Sequence, residues 1–120
     1  MAIGDAKEAL ALAERAVKEK PKDARALATR ATVKIALKDM KGALADASQA
    51  TTLDKTFGKA FFIRGRAKEE LGFSQEEVLA DYRKAAQLDP RYTPSYNDAI
   101  AQAAMKKPAL KTPAKDRGLR

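Results

Sequence analysis

The sequence matches itself at a distance of 34 residues, and this repeat leaves few folds open to the chain. Small and apolar residues recur in register: Ala26, Leu27, Ala31 and Leu37 become Ala60, Phe61, Gly65 and Leu71. With one more residue in the turn after Gly72, a second set follows: Leu44, Ala45, Asp46, Ala50, Leu53 and Asp54 become Leu79, Ala80, Asp81, Ala85, Leu88 and Asp89. Apolar residues three and four positions apart predict amphipathic helices. The repeated unit is therefore a pair of helices, and units of this length stack into a solenoid.

Half units flank the two complete ones. Upstream, a copy of the second helix begins the chain: Ala9, Leu10, Ala11, Ala13 and Ala16 precede Ala43, Leu44, Ala45, Ala47 and Ala50 by 34 positions. Downstream, Tyr96 and Ile100 follow Phe61 and Gly65 by 35 positions, which predicts a last helix of the first type. The sequence thus predicts an all-α fold of about six helices.

Two motifs in the central unit are characteristic of a known family. They are the Ala-aromatic-x-x-x-Gly of Ala60, Phe61 and Gly65 and the Ala-x-x-Leu-Asp-Pro of Ala85, Leu88, Asp89 and Pro90. With the 34-residue period, they give a resemblance to tetratricopeptide-repeat (TPR) proteins that covers about residues 5–105. The resemblance implies a right-handed α-solenoid of antiparallel helix pairs that serves as a binding scaffold.

The expected domain organisation follows the repeat register. The TPR domain covers 1–105, with the second helix of a partial repeat at 5–21, full repeats at 24–55 and 58–90, and a capping helix at 94–105; a basic flexible tail occupies 106–120. We expect the first helix to bury Ala9, Leu10, Ala13, Ala16 and Val17, and the last to bury Tyr96, Ala99, Ile100, Ala103 and Ala104. Asp23 is expected to cap the second helix. Gly65, unfavourable in a helix, suggests a close contact.

Composition argues against several functions. The chain has 120 residues, without cysteine or histidine, so thiol catalysis and zinc sites built from those ligands are excluded. The serines lack a histidine to activate them, and the glycines form no phosphate-binding loop. We expect no enzyme activity, cofactor or metal. No apolar run approaches the ~18 residues that span a bilayer, and the N-terminus lacks a secretory signal. We therefore expect no membrane partner and a cytoplasmic location, with the nucleus left open.

The TPR resemblance also implies a binding surface, because the first helices of such units line a concave face. The residues that it places there are Arg25, Thr29, Thr32, Lys59, Phe62, Ile63, Arg66 and Asn97. Lys59, Phe62 and Arg66 share one helix face. An exposed aromatic ring between two cations suits a peptide of acidic character with a hydrophobic side chain. The alternative is that this face contacts only solvent.

Repeats followed by a capping helix resemble the co-chaperone subclass of TPR domains, which clamps the C-terminal carboxylates of heat-shock chaperones. Gly58, Lys59 and Ala60 match that subclass, the clamp lysine included. The clamp is incomplete, since Thr29 stands where it needs asparagine, Ile63 stands where it needs arginine, and the helix carrying its first two residues has no counterpart. Arg66, one turn along, substitutes in part. A more general peptide or subunit contact is therefore favoured over standard carboxylate clamping.

A second hypothesis comes from the charge of the tail. The net charge of the chain is +8, and the tail contributes +5 of it through one aspartate and six basic residues: Lys106, Lys107, Lys111, Lys115, Arg117 and Arg120. Such a segment binds nucleic acid or an acidic surface without sequence specificity. On this hypothesis the protein is a small structural subunit of a large assembly, for example a ribonucleoprotein, anchored by its tail and by the uncovered first helix. That helix could equally join two copies of the chain.

Overall fold

A computed structural model of the chain describes residues 3–106. Over this range it confirms the all-α fold, with six α-helices and one short 3-10 helix. The elements are α1 (Ile3–Glu19), α2 (Ala24–Ala36), α3 (Met40–Leu53), α4 (Gly58–Glu70), α5 (Gln75–Leu88), the 3-10 helix (Pro90–Tyr92) and α6 (Thr93–Lys106). Each α-helix packs against the next one along the chain, and α2 also contacts α4. This order is that of a helical solenoid.

Short polar side chains determine where several helices begin. Asp23, Asp39 and Ser74 stand directly before α2, α3 and α5, and each side chain accepts a hydrogen bond from a backbone N–H of the first turn. The predicted cap at Asp23 is confirmed. The turns after α2 and α4 each need one residue in the left-handed region, Lys38 with φ 67° and Gly72 with φ 84°. Glycine adopts this conformation readily, whereas lysine is strained there.

The core consists mainly of alanine, so the helices approach closely. One buried cluster joins α2, α3 and α4 through Ala28, Ala31, Ala43, Ala47, Ile63 and Ala67. A second cluster contains Val17, Ala24, Leu27, Ala50 and Ala60. The rigid first helices, α2 and α4, are therefore held side by side, which positions their outward residues as one surface.

Gly65 lies where α4 closely approaches α5, as its position in the helix predicted. A Cβ atom there would lie 2.8 Å from Cε1 of Tyr82 and 3.2 Å from Cβ of Asp81. Tyr82 is buried, and its hydroxyl donates a 2.9 Å hydrogen bond to the carboxylate of Glu69. Burial, together with that carboxylate, raises the pKa of the Tyr82 hydroxyl. The absent side chain of Gly65 makes room for this ring.

Each complete unit buries an aspartate against two cations. Asp46 of α3 accepts two 2.7 Å hydrogen bonds from the guanidinium of Arg30 and lies 3.0 Å from the ammonium nitrogen of Lys34. Burial works to raise the pKa of Asp46, but the hydrogen bonds from these two cations outweigh it and hold the pKa below its usual value. The carboxylate therefore stays charged inside the unit.

The second unit repeats this arrangement. Asp81 of α5 accepts hydrogen bonds of 3.0 and 2.8 Å from Arg64 and lies 3.3 Å from the ammonium nitrogen of Lys68. Arg64 also donates to the hydroxyl of Thr51, which belongs to the preceding unit. The second network thus connects the two units as well as the two helices of one unit.

The end helices are more exposed than their sequence pattern predicted. In α1, Ala13 and Val17 are buried, but Ala16 is exposed and Leu12 is 62% exposed. In α6, Ile100 is 42% exposed and Ala104 is also exposed. The predicted burial of Ala16, Ile100 and Ala104 is wrong, because the main described neighbour of each end helix is a single helix, whereas the inner helices have two.

Candidate functional site

A groove runs along the outward side of α2 and α4 and consists of two adjoining cavities that share Lys59 and Tyr92. The basic cavity, of about 580 Å³, is lined by Arg25, Thr29, Thr56, Phe57, Gly58, Lys59, Leu88, Asp89, Arg91 and Tyr92. The apolar cavity, of about 420 Å³, is lined by Thr32, Ile35, Ala36, Lys38, Met40, Lys59, Phe62, Ile63, Arg66, Glu70 and Tyr92. Lys59 therefore stands at the junction of the two.

Three cations line the basic cavity, and each has different contacts. The guanidinium of Arg91 is paired with Asp89 at 2.7 Å, and that of Arg25 lies 5.3 Å from the centroid of the Phe57 ring. Lys59 is exposed and forms no salt bridge with any residue of the 3–106 range. Its ammonium group is therefore available to a carboxylate that enters from solvent.

Stacked aromatic rings form the floor of the apolar cavity. The ring of Phe62 stacks on that of Tyr92, with centroids 4.7 Å apart, and its centroid lies 5.6 Å from that of Tyr82. Burial raises the pKa of the Tyr92 hydroxyl, so this side chain stays neutral. Phe62 is thus half-buried and part of a fixed apolar surface, whereas the sequence suggested a freely exposed ring.

Cations stand at the rim of this floor. Lys38, Lys59 and Arg66 are exposed beside it, with Glu70 as the one acidic residue lining the cavity. Arg66, like Lys59, has no salt-bridge partner among the residues that the structure describes. The apolar cavity therefore offers a hydrophobic surface bordered by three positive charges, none of which forms a salt bridge with a residue of the 3–106 range.

The 3-10 helix contributes two groove residues that the sequence did not identify, Arg91 and Tyr92. The side chain of Asp89 accepts a hydrogen bond from the backbone N–H of Arg91 and several from its guanidinium, which fixes the linker in place. The repeat gave one indication of Tyr92. It follows Phe57 by 35 positions, so the two residues are equivalent in the repeat, and both line the basic cavity.

Seven of the eight predicted groove residues line the two cavities. Arg25, Thr29 and Lys59 line the basic cavity, and the apolar cavity adds Thr32, Phe62, Ile63 and Arg66. Ile63 is only 3% exposed, so it supports the floor and offers little surface to a partner.

Asn97 lines neither cavity, although it is exposed on α6. From the same helix, Ser95 and Asp98 face a smaller cavity of about 260 Å³ that Phe62 and Arg66 also line. These two residues, rather than Asn97, extend the groove toward α6.

The predicted basic tail lies outside the described residues except for Lys106, the last residue of α6. The expected roles of Lys107, Lys111, Lys115, Arg117 and Arg120 therefore stay predictions. Over residues 3–106, no three acidic side chains come together in a way that could hold a metal ion. None of the helices in that range has the length and apolar character needed to cross a membrane.

No protein-family model and no curated protein sequence matches the chain, but solved structures do. The Arabidopsis OM64 TPR domain is 26% identical, with a TM-score of 0.77 over 86% of this chain and 84% of that domain. The first TPR of Spaghetti (RPAP3), bound to the HSP90 peptide SRMEEVD, is 25% identical, with a TM-score of 0.74 over 84% of this chain and 82% of that one. The second TPR domain of human RPAP3, in complex with the HSP70 peptide SGPTIEEVD, is also 25% identical, with a TM-score of 0.71 over 82% and 81%. The resemblance to TPR domains, co-chaperone-type domains among them, is confirmed.

Proposed function

We propose that this TPR-like chain is a non-enzymatic adaptor that binds a partner peptide of acidic character in the groove along α2 and α4. The observation that carries the proposal is the position of Lys59, an unpaired cation where the basic and apolar cavities meet. A carboxylate on Lys59 places the neighbouring peptide residue over the stacked rings of Phe62 and Tyr92. An acidic residue beside an apolar one therefore fits both cavities together.

The charges around the groove favour more than one carboxylate on the peptide. Arg25 and Arg91 stand near Lys59 in the basic cavity, and Lys38 and Arg66 border the apolar cavity. Exposed charges of this kind attract an acidic partner over a Debye length of about 10 Å and are screened by salt. The peptides bound to the two RPAP3 domains, SRMEEVD and SGPTIEEVD, combine two glutamates, a valine and an aspartate. Peptides of this composition are suitable probes for the groove.

Recognition of the peptide by its side chains, rather than by its C-terminus alone, is the finer part of the proposal. Thr29 supplies only a hydroxyl to the basic cavity, and Ile63 is buried where a clamp arginine is expected. Arg91 adds a cation to the basic cavity, and it is paired with Asp89 at 2.7 Å. Within the 3–106 range, the groove thus lacks a concentrated set of donors for one terminal carboxylate, while cations are spread along it.

Fluorescence anisotropy with labelled SRMEEVD tests the proposal on the full chain. Lys59→Glu and Arg66→Glu each replace an attraction by a repulsion, and we expect each to weaken binding about tenfold or more, equivalent to at least ~1.4 kcal/mol. Lys84→Glu is the matched control, since Lys84 is exposed on α5 and lines neither cavity. Equal affinities for the wild type and both groove variants would refute the proposal.

A second comparison separates side-chain recognition from terminal clamping. Replacing the acidic side chains by amides, as in SRMQQVN, is expected to abolish most of the binding. Amidating the C-terminus of SRMEEVD removes one charge and is expected to weaken binding only a few-fold. The reverse order of effects would assign a standard carboxylate clamp to this groove and would contradict the side-chain proposal.

A further inference from the structure

The end helices α1 and α6 are half units of opposite type. By repeat register, α1 is equivalent to the second helices α3 and α5, while α6 is equivalent to the first helices α2 and α4. An α6 helix followed by an α1 helix would therefore have the composition of one complete unit. The surfaces that would meet in such a unit are exposed in part on both helices.

On both end helices, apolar residues stand at the positions that carry the buried ion networks in the complete units. Leu12 of α1 stands 34 positions before Asp46, the carboxylate of the first network. Ala99 and Ala103 of α6 stand 35 positions after Arg64 and Lys68, the cations of the second. All three polar positions have thus changed to apolar residues, although the two helices lie at opposite ends of the described chain.

Equivalent residues differ sharply in exposure between α3 and α1. Asp46 is 4% exposed, whereas Leu12 is 62% exposed. Ala50 is fully buried, whereas its equivalent Ala16 is exposed. The side of α1 that corresponds to the covered side of α3 is therefore an open apolar surface.

The complementary side of α6 borders a cavity of mixed character. This space, of about 190 Å³, lies between α5 and α6; Val78, Leu79, Ala99 and Ala103 form the apolar part of its lining, and Glu69, Gln75 and Gln102 form the polar part. The equivalents of the two alanines in α4 are arginine and lysine, whose side chains are much longer. On the same helix, Ile100 is 42% exposed. A side chain such as Leu12 from another helix is of suitable size to pack against the apolar part of this lining.

We propose that α6 of one copy of this chain packs against α1 of a second copy, so that the two helices complete a composite unit. Leu12 of one copy then lies against Ala99 and Ala103 of the other, where the complete units place an aspartate between an arginine and a lysine. The contact continues the helix packing of the intact units along the solenoid. Because it uses different surfaces on the two copies, the association is head to tail and can extend beyond a dimer.

The occupant is a second copy because each open face rejects the regular partner type. A helix such as α2 or α4 laid on α1 would bury its arginine and lysine against Leu12 with no carboxylate at the position of Asp46. A helix such as α3 or α5 laid on α6 would bury its aspartate against two alanines with no cation present. Among pairings of a first-type helix with a second-type helix, α1 with α6 is the one that avoids both mismatches.

The sizes of the residues at the helix crossing also favour the pairing of α1 with α6. At the position of Gly65, α6 carries the larger Ile100, and at the position of Tyr82, α1 carries the smaller Ala13. In α4 and α5 the glycine makes room for the tyrosine. Relative to α4 and α5, the small and the large residue have exchanged helices, and Ala13 is already buried within its own chain.

Sedimentation velocity of the full chain over a concentration series tests the proposal. We expect concentration-dependent association of the wild type and its loss in Leu12→Asp, whose altered side chain is exposed and leaves the fold intact. Leu53→Asp is the matched control, because Leu53 is also an exposed leucine but lies outside the α1 surface, and this variant should associate normally. A wild type that stays monomeric to millimolar concentration overturns the proposal, as does association of Leu12→Asp equal to that of the wild type.

A complementation experiment sharpens the test. The double variant Ala99→Arg/Ala103→Lys restores the cations of a regular first helix and should be monomeric alone. Mixed with Leu12→Asp in equal amounts, it should associate, because the aspartate introduced at position 12 meets the introduced cations and the unaltered ends still fit each other. Circular dichroism checks that both variants are folded; if the double variant is not, Leu12→Asp alone decides. Two folded variants that stay monomeric when mixed contradict the proposed contact.

The association leaves the groove along α2 and α4 uncovered. Lys59 and Arg66 are not part of the composite unit, so their charge reversal should weaken peptide binding without affecting self-association. Leu12→Asp should have the opposite pattern. The two proposals can therefore fail separately.

Discussion

Replacing Asp46 by alanine should destabilise the protein strongly, although the residue does not line the groove. Its carboxylate accepts two 2.7 Å hydrogen bonds from Arg30 and contacts Lys34 at 3.0 Å. Breaking a buried ion pair from one side typically costs 3–5 kcal/mol, because the remaining charge is left unpaired. Here the side chains of Arg30 and Lys34 are 22% and 17% exposed, and their long stems can turn the charges toward water. We therefore expect the lower end of the range, a loss of about 3 kcal/mol.

Urea unfolding followed by circular dichroism measures this loss as a change in the free energy of unfolding. Asp98→Ala is the control, because Asp98 is an exposed aspartate on a helix, and substitutions at exposed positions usually change stability by less than about 0.5 kcal/mol. A loss of under about 1 kcal/mol for Asp46→Ala would refute the argument that the buried network holds the unit together. Replacing all three members by apolar residues should cost much less than the single change, since no charge is then left unpaired.

Three further predictions use the same unfolding assay. Burial works to raise the pKa of Asp46, but hydrogen bonds from Arg30 and Lys34 outweigh it and hold the pKa low. The contribution of Asp46 to the free energy of unfolding is therefore complete above its unfolded-state pKa of about 3.9, and it is lost as the pH falls through its pKa in the folded protein. Asp46→Ala should lessen this loss of stability in acid. Gly65→Ala should cost about 1–3 kcal/mol, since the added Cβ would lie 2.8 Å from the Tyr82 ring; an unchanged midpoint would show that the ring can move aside. Lys38→Gly should stabilise by about 1 kcal/mol by relieving the left-handed backbone at φ 67°, and a destabilised variant would argue against strain there.

The fold could be predicted from the sequence because small residues recur wherever helices cross. Ala31 and Gly65 occupy the same position in successive units, and both are buried at helix contacts. The ion networks were missed although Asp46 and Asp81 were matched by the repeat. Their arginines lie 16 and 17 residues away on another helix, so the pairing becomes visible only when the relative rotation of the two helices is known.

The groove could be predicted only in part. Lys59 and Arg66 follow from helical spacing, since both stand on the outward face of α4. Arg91 and Tyr92 lie in a non-periodic linker, where spacing carries no directional information. Phe62 is half-buried between Tyr92 and Tyr82, which lie on other elements, and a pattern within one helix cannot reveal such contacts.

The exposure of the end helices could not be predicted from their own patterns either. The apolar stripe of α1 resembles that of α3, and Ala16 has the same register as the buried Ala50. Whether such a residue is covered depends on how many helices surround it, which is a property of the assembled solenoid and not of the helix itself.

The most direct test of the central claim is a chemical-shift titration of the isotope-labelled full chain with SRMEEVD. We expect the largest changes in backbone amide shifts to occur along the groove, at Thr32, Lys59, Arg66 and Tyr92, with little change on α1. Saturable shifts concentrated there would establish that the groove along α2 and α4 is the peptide-binding surface. Shifts confined to α1 or α6, or none at all, would contradict the account and leave the groove without its proposed function.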